Sequence, residues 1–248
     1  MILPDACLAP RNDNVAGKST AGDVLIDWAR RTPYRIALTE CAAPGAPPRS
    51  WTCEALRDDA ATLAGALLSR FAPGEPIAVW APPCPESVLL QFAAAFAGLP
   101  LVAIDPDCPA SELTEILDHA GAVALFMMAA AWERPPAHRV AAAAAAGLRE
   151  VVDLSDRRTL FAKRRAVDGF PEVAPLDPAQ IRYAAGANGS PRGEIVRHGD
   201  LADALRDAIA GGTPRGESLL PYFPRSRPPA RGAPAERETR AGRVAAVA

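Results

Sequence analysis

Between residues 21 and 210, stretches with a 3.6-residue apolar period alternate with short, largely apolar runs, and this alternation constrains the fold more than any other feature of the chain. Residues 23–31 put Val24, Leu25 and Trp28 on one helical face and stop before Pro33, whose ring cannot continue a helix. Thr52 is placed to cap a second helix in which Leu56, Ala60, Leu63 and Leu67 recur at helical spacing. The short apolar runs 36–39, 77–80, 101–104, 123–128 and 151–154 read as strands, with 77–80 a candidate for a buried one. Helices are predicted at 86–97, closed by Gly98, at 111–119, ended by Gly121, and in the alanine-rich stretch up to Gly147. Strands alternating with helices are the mark of βαβ units. The expected class is therefore α/β, a mostly parallel sheet flanked by helices.

Further along, 181–185 reads as a strand, 186–193 as a glycine-rich turn, 195–197 as an extended piece, and Asp200 as the cap of a helix over 201–210. Past Gly211 the periodicity stops. Six prolines and seven arginines fall between Gly212 and Ala248, where little apolar surface is available to offset chain ordering. The expected organisation is a flexible segment over 1–20, one domain over 21–220 and a disordered Pro/Arg-rich tail over 221–248.

Several function classes are set aside by composition and spacing. The longest apolar stretch, 88–104, carries Gln91 and is broken by Gly98 and Pro100, so no membrane span is expected. Residues 1–20 place Asp5, Pro10, Arg11 and Asp13 where a secretory leader would be basic and then apolar, so a cytoplasmic protein is expected. Cys7, Cys41, Cys53, Cys84 and Cys108 are widely spaced and read as free thiols, with no metal-ligand pattern. Residues 151–248 hold 16 basic and 12 acidic side chains (net +4), against 11 and 17 (net −6) for 1–150. With aromatics at 6%, this mild asymmetry does not make a nucleic-acid surface. Gly17, Lys18 and Ser19 lack the preceding strand of a Walker loop. His119, His138 and His198 have no spaced partners and read as surface or cap residues, leaving no catalytic residue assigned. Arg157, Arg158, Lys163, Arg164 and Arg165 read as a solvated basic patch, and Asp105 and Asp107 around Pro106 as either a rigid turn or functional groups past a strand end.

The segment Tyr183-Ala184-Ala185-Gly186-Ala187-Asn188-Gly189-Ser190-Pro191-Arg192-Gly193 is more specific. Glycines let backbone N–H groups turn towards an anion, and a neighbouring cation neutralises phosphate charge. It resembles the phosphate-binding signature of the adenylate-forming superfamily of acyl-CoA synthetases, fatty-acyl-AMP ligases and peptide-synthetase adenylation domains. That signature runs hydroxyl-hydroxyl-Gly-hydroxyl-hydroxyl-Gly-x-Pro-Lys-Gly, followed by His-x-Asn-Leu. Gly186, Gly189, Pro191 and Gly193 match in register, Arg192 stands at the lysine, and His198 and Leu201 match downstream. Three upstream segments agree in order: Ser50 to Leu56 with Thr-Tyr-x-Glu-Leu, the strand 77–80 with Pro85-Glu86, and Ala97 to Pro106 with Ala-Gly…Pro-Ile-Asp-Pro.

The resemblance implies ATP with magnesium, a carboxylic-acid substrate, and a partner ligase or carrier protein. Gly186, Ala187, Asn188, Gly189, Ser190, Arg192 and Gly193 would hold the nucleotide phosphates. It also marks departures. The four hydroxyl positions hold Ala184, Ala185, Ala187 and Asn188, and Glu194 adds a negative charge beside the loop. The family's later motifs, including its C-terminal catalytic lysine, are not found after Leu220; Lys18 and Lys163 both precede the loop. The expectation is thus an N-terminal, truncated ligase-like chain, catalytically impaired on its own. The alternative is a non-catalytic nucleotide-binding or protein-interaction module.

Overall fold

The computed structural model describes residues 7–8, 19–40, 48–106, 108, 110–128, 147–163, 168–185, 191–211 and 244–245. In chain order the elements are β1 (Cys7–Leu8), α1 (Ala21–Arg31), β2 (Ile36–Glu40), β3 (Ser50–Thr52), α2 (Cys53–Leu68), β4 (Ile77–Trp80) and α3 (Pro85–Ala97). Then come β5 (Leu101–Ile104), α4 (Ala110–Ala120), β6 (Ala124–Met127), β7 (Glu150–Asp153), α5 (Arg157–Leu160), β8 (Pro178–Ala185), β9 (Pro191–Arg197), α6 (His198–Gly211) and β10 (Val244–Ala245).

Seven strands form the main sheet in the order β1-β9-β8-β5-β4-β6-β7, and β10-β2-β3 form a small one. All neighbours in the main sheet are parallel except β8 and β9, which pair antiparallel. The expected α/β class with a mostly parallel sheet is what the chain adopts. Side-chain alternation along each strand builds two cores. Ile77, Val79, Leu101 and Phe126 join residues of α1, α2, α3 and α6 on one face. Ala78, Trp80, Val102, Ile104 and Leu125 join α4 on the other.

Local signals explain the helix ends. Thr20 and Asp23 form a reciprocal capping box, with Thr20 Oγ1 accepting from Asp23 N at 3.2 Å and Asp23 Oδ2 accepting from Thr20 N at 2.8 Å. α1 therefore starts two residues before the expected 23. Thr52 caps α2 as expected, its Oγ1 accepting from Ala55 N at 3.1 Å. Pro85 opens α3, a helix buried on all sides, and Gly98 closes it in the left-handed region at φ 63°. A Cβ at Gly98 would lie 3.4 Å from Val173 Cγ2 and 3.5 Å from Pro171 Cγ. Gly98→Ala is expected to cost about 1–2 kcal/mol, the strain of a side chain in that conformation. The check is a lower urea midpoint at unchanged slope.

Two local expectations are corrected. The segment 191–193 is not turn but the start of β9, because hairpin pairing with β8 recruits it. Asp200 is not a cap but lies in the first turn of α6, which begins at His198 directly after β9. β3 was not foreseen: three residues following a proline-rich stretch carry too little periodicity, and only pairing with β2 makes them a strand. The alanine-rich helix expected up to Gly147 lies outside the described residues.

Candidate functional site

Because β4, β5, β6 and β8 run parallel, their carboxyl ends share one edge of the sheet, the edge at which α/β proteins place ligands. β8 turns back into β9 beyond that edge. Their last pair is Ala185 with Pro191, so the connecting loop is 186–190. Gly186, Ala187, Asn188, Gly189 and Ser190 lie outside the described residues, while both strands that carry them are fixed. At the same edge, Asp105 O accepts from Trp80 Nε1 at 3.1 Å and from Cys108 N at 2.9 Å, which makes 105–108 a braced turn. Asp107 itself falls outside the described residues.

Within β9, Arg192, Glu194 and Val196 share the face that carries the α1–α6 core, by strand alternation. Arg192 is exposed and pairs in register with Ala184, and half-buried Glu194 pairs with Arg182. Glu194 therefore sits opposite a cationic residue in the ladder. Gly193 pairs with Tyr183, and a Cβ there would come within 3.3 Å of Tyr183 Cζ. Its lack of a side chain makes room for that ring. Tyr183 Oη lies 2.7 Å from His119 Nδ1 on α4. Burial pushes the Tyr183 phenol up to about 12.

The remaining candidates resolve differently from expectation. His119 is bonded rather than a free surface residue, and His198 is fully buried, its two ring nitrogens without a hydrogen-bond partner among the described residues. Desolvation pushes His198 down to about 4, opposed by the charges of Asp177 and Asp23. His138, Gly17, Lys18, Arg164 and Arg165 lie outside the described residues. Cys53, Cys84 and Cys108 are buried free thiols; burial pushes Cys84 up to about 11, so it is not a thiolate at neutral pH.

Arg157 is not merely solvated basic surface. Its Nη1 reaches Glu86 Oε1 at 3.5 Å and its Nη2 reaches Asp59 Oδ2 at 3.3 Å. Glu86 in turn receives Arg49 as a fork, Nη1 to Oε1 at 2.9 Å and Nη2 to Oε2 at 3.4 Å. This hub joins the small sheet, α3 and α5. Sequence reading matched Glu86 to a family motif without its partners, which come from 37 residues upstream and from the patch at 157.

A cavity of about 350 Å³ opens at the opposite edge, lined by Pro76, Pro100, Pro171, Asp177, Pro178 and His198 among others. Pro76 and Pro100 precede β4 and β5, so this space is at the amino ends of the strands, the far side from residues 186–190.

The mostly parallel sheet with its antiparallel β8–β9 hairpin is the fold of the N-terminal subdomain of adenylation enzymes. The sequence profile of the AMP-binding enzyme family matches residues 25–224, and the chain belongs to that family. It is 29% identical over 201 residues to phosphinothricin tripeptide synthetase PhsC of Streptomyces viridochromogenes, a match covering 81% of this chain and 17% of that protein. It is also 29% identical over 195 residues to a 3-[(3aS,4S,7aS)-7a-methyl-1,5-dioxo-octahydro-1H-inden-4-yl]propanoyl:CoA ligase of Mycobacterium tuberculosis, covering 74% of this chain and 37% of that one. The fold superposes with TM-score 0.61 and 22% identity on NpsA-ThdA, an artificially fused adenylation-PCP di-domain of Klebsiella oxytoca, covering 77% of this chain and 35% of that chain. The chain thus spans well under two thirds of these relatives.

Proposed function

We propose that the chain supplies the phosphate-binding part of an adenylate-forming site, with residues 21–220 as the family domain and a carboxylic acid as the second substrate. In this reading Gly186, Ala187, Asn188, Gly189, Ser190, Arg192 and Gly193 face the β- and γ-phosphates of ATP. The observation that supports it most is the placement of the β8–β9 hairpin, whose connecting loop leaves from the carboxyl edge of the parallel sheet beside the braced turn at Asp105.

Loop chemistry sets the strength of binding. Backbone N–H groups and the Arg192 guanidinium offer donors and charge, whereas alanines at 184, 185 and 187 offer none from the side chain. Among the described residues no three His, Cys, Asp or Glu side chains are grouped to hold a metal ion. In this reading magnesium enters as the counter-ion of the nucleotide. The chain by itself is a weak nucleotide binder and a poor catalyst.

Pyrophosphate exchange over a panel of carboxylic acids is expected to show no ATP-dependent turnover; clear turnover overturns the impairment. Calorimetric titration with pyrophosphate tests the loop itself. Ala185→Ser is expected to tighten binding about tenfold, the worth of one hydrogen bond to a charged oxygen. Equal affinity in parent and variant overturns the loop assignment.

The missing donors also favour a second reading, a non-catalytic module that docks a partner ligase or carrier protein. A defined complex with such a partner, with no gain from Ala185→Ser, distinguishes it.

A further inference from the structure

The cavity of about 350 Å³ at the amino edge of the sheet falls within the size range of small-molecule sites. Its inner walls are stiff. Pro76 and Pro100 have a fixed φ, and the backbone around them is bonded: Val123 N donates to Pro76 O at 2.9 Å, Ile77 N to Pro100 O at 3.0 Å and Gly74 N to Gly98 O at 2.7 Å. The outer wall is segment 168–177, which contributes Pro171, Glu172, Val173 and Asp177 and is fastened at both ends. Phe170 stacks on Phe96 of α3, centroids 5.8 Å apart at 15°, and Pro171 and Val173 sit over Gly98. At the other end Gly199 N donates to Pro175 O at 2.8 Å and His198 N to Asp177 O at 3.0 Å. The space is therefore preformed, and a ligand entering it meets little ordering cost.

Two kinds of polar group interrupt an otherwise apolar lining. Glu172 and Asp177 are exposed and bring carboxylates to the rim. His198 lies deeper in the wall, fully buried, and neither of its ring nitrogens has a hydrogen-bond partner among the described residues. Burial keeps this imidazole neutral at pH 7, so it repels no cation and offers one nitrogen as an acceptor.

We propose that this cavity is a second ligand site, one that takes a small organic ammonium, its apolar body among the prolines and its charged head towards the carboxylates of Glu172 and Asp177 and the imidazole of His198. The apolar contact supplies affinity, and the two carboxylates select the sign of charge. Because the ring is fully covered, it turns slightly to meet the ammonium N–H, and the bond then satisfies a buried acceptor. The site lies at the edge opposite to residues 186–190 and does not depend on their binding phosphate.

Phenethylamine, phenethyl alcohol and phenylacetate share an aromatic body and differ in the charge of the head group. Calorimetry on the full chain at pH 7 and low salt is expected to give a dissociation constant of about 1 mM for the amine, about threefold weaker for the alcohol and at least about tenfold weaker for the acid, with no competition from pyrophosphate. Asp177→Asn keeps an acceptor for Ala174 N, which Asp177 Oδ2 receives at 2.7 Å, and removes the charge. Combined with Glu172→Gln, it is expected to weaken the amine about tenfold and leave the alcohol unchanged. His198→Phe, which keeps a ring and removes the acceptor, should weaken the amine about fivefold. Val173→Trp, which fills the cavity, should abolish binding of the amine; if that variant does not fold, the Glu172/Asp177 pair decides. A dissociation constant above about 20 mM for the amine overturns the site. So does equal affinity for amine and acid, an amine affinity untouched by the charge and His198 variants, or full binding by a folded Val173→Trp.

Discussion

Replacing Arg49 by methionine is expected to lower the free energy of unfolding by about 3 kcal/mol, at the low end of the range for breaking a buried ion pair. The reason is asymmetric burial. The Glu86 side chain is 4% exposed while that of Arg49 is 45% exposed, so the methionine variant strands a carboxylate that water cannot reach. Arg157 remains, but at 3.5 Å and itself shared with Asp59, which keeps the cost from the top of the range. The guanidinium of Arg49 is held above its usual range, chiefly by hydrogen bonding to Glu40, then by Glu86 against the opposing effect of burial. Glu86→Gln should cost less than Arg49→Met, because both arginines are partly exposed and can rehydrate. The double variant should be more stable than Arg49→Met alone, since the stranded charge is gone. Urea unfolding of the four proteins gives the coupling directly. A loss below about 1 kcal/mol for Arg49→Met would show that Glu86 is hydrated in solution.

Stability is also expected to fall in acid by about 3 kcal/mol between pH 6.5 and pH 4, through His198. The imidazole is buried and held near 4 when folded, against 6.5 for the unpacked group. In that window the unfolded chain binds more protons than the folded one. The contribution is therefore complete above pH 6.5, is lost as pH falls, and levels off below 4. Asp177 and Asp23 limit the depression but do not reverse it. Thermal unfolding of His198→Phe, which keeps a planar ring and removes the titrating nitrogens, is expected to show a flatter profile over the same window. A parent profile already flat between pH 6.5 and 4 would mean that His198 stays hydrated or finds a hydrogen-bond partner.

Legibility from the sequence differed by element. The strands 77–80 and 101–104 and the closure of α3 at Gly98 were readable to the residue, because a continuous apolar run and a left-handed glycine are local signals. α4 and β6 were found within a residue or so, the usual fraying of boundaries. The start of β9 was misread as turn, since Pro191-Arg192-Gly193 has the composition of a bend and becomes strand only opposite Tyr183 to Ala185. The family likewise was legible from the spacing of Gly186, Gly189, Pro191 and Gly193, a one-dimensional pattern.

What the amino-acid order determined by itself was the βαβ alternation, the family and the chemistry available at 184–193. These depend on neighbours within a turn or two, where propensity, capping and period act. The tertiary structure alone decided that Glu86 meets Arg49 and Arg157, that His198 is buried rather than a cap, and that Tyr183 is tied to His119 across 64 residues of chain. Such contacts follow from strand order and helix placement, and no local pattern encodes which distant side chain a buried polar atom will find.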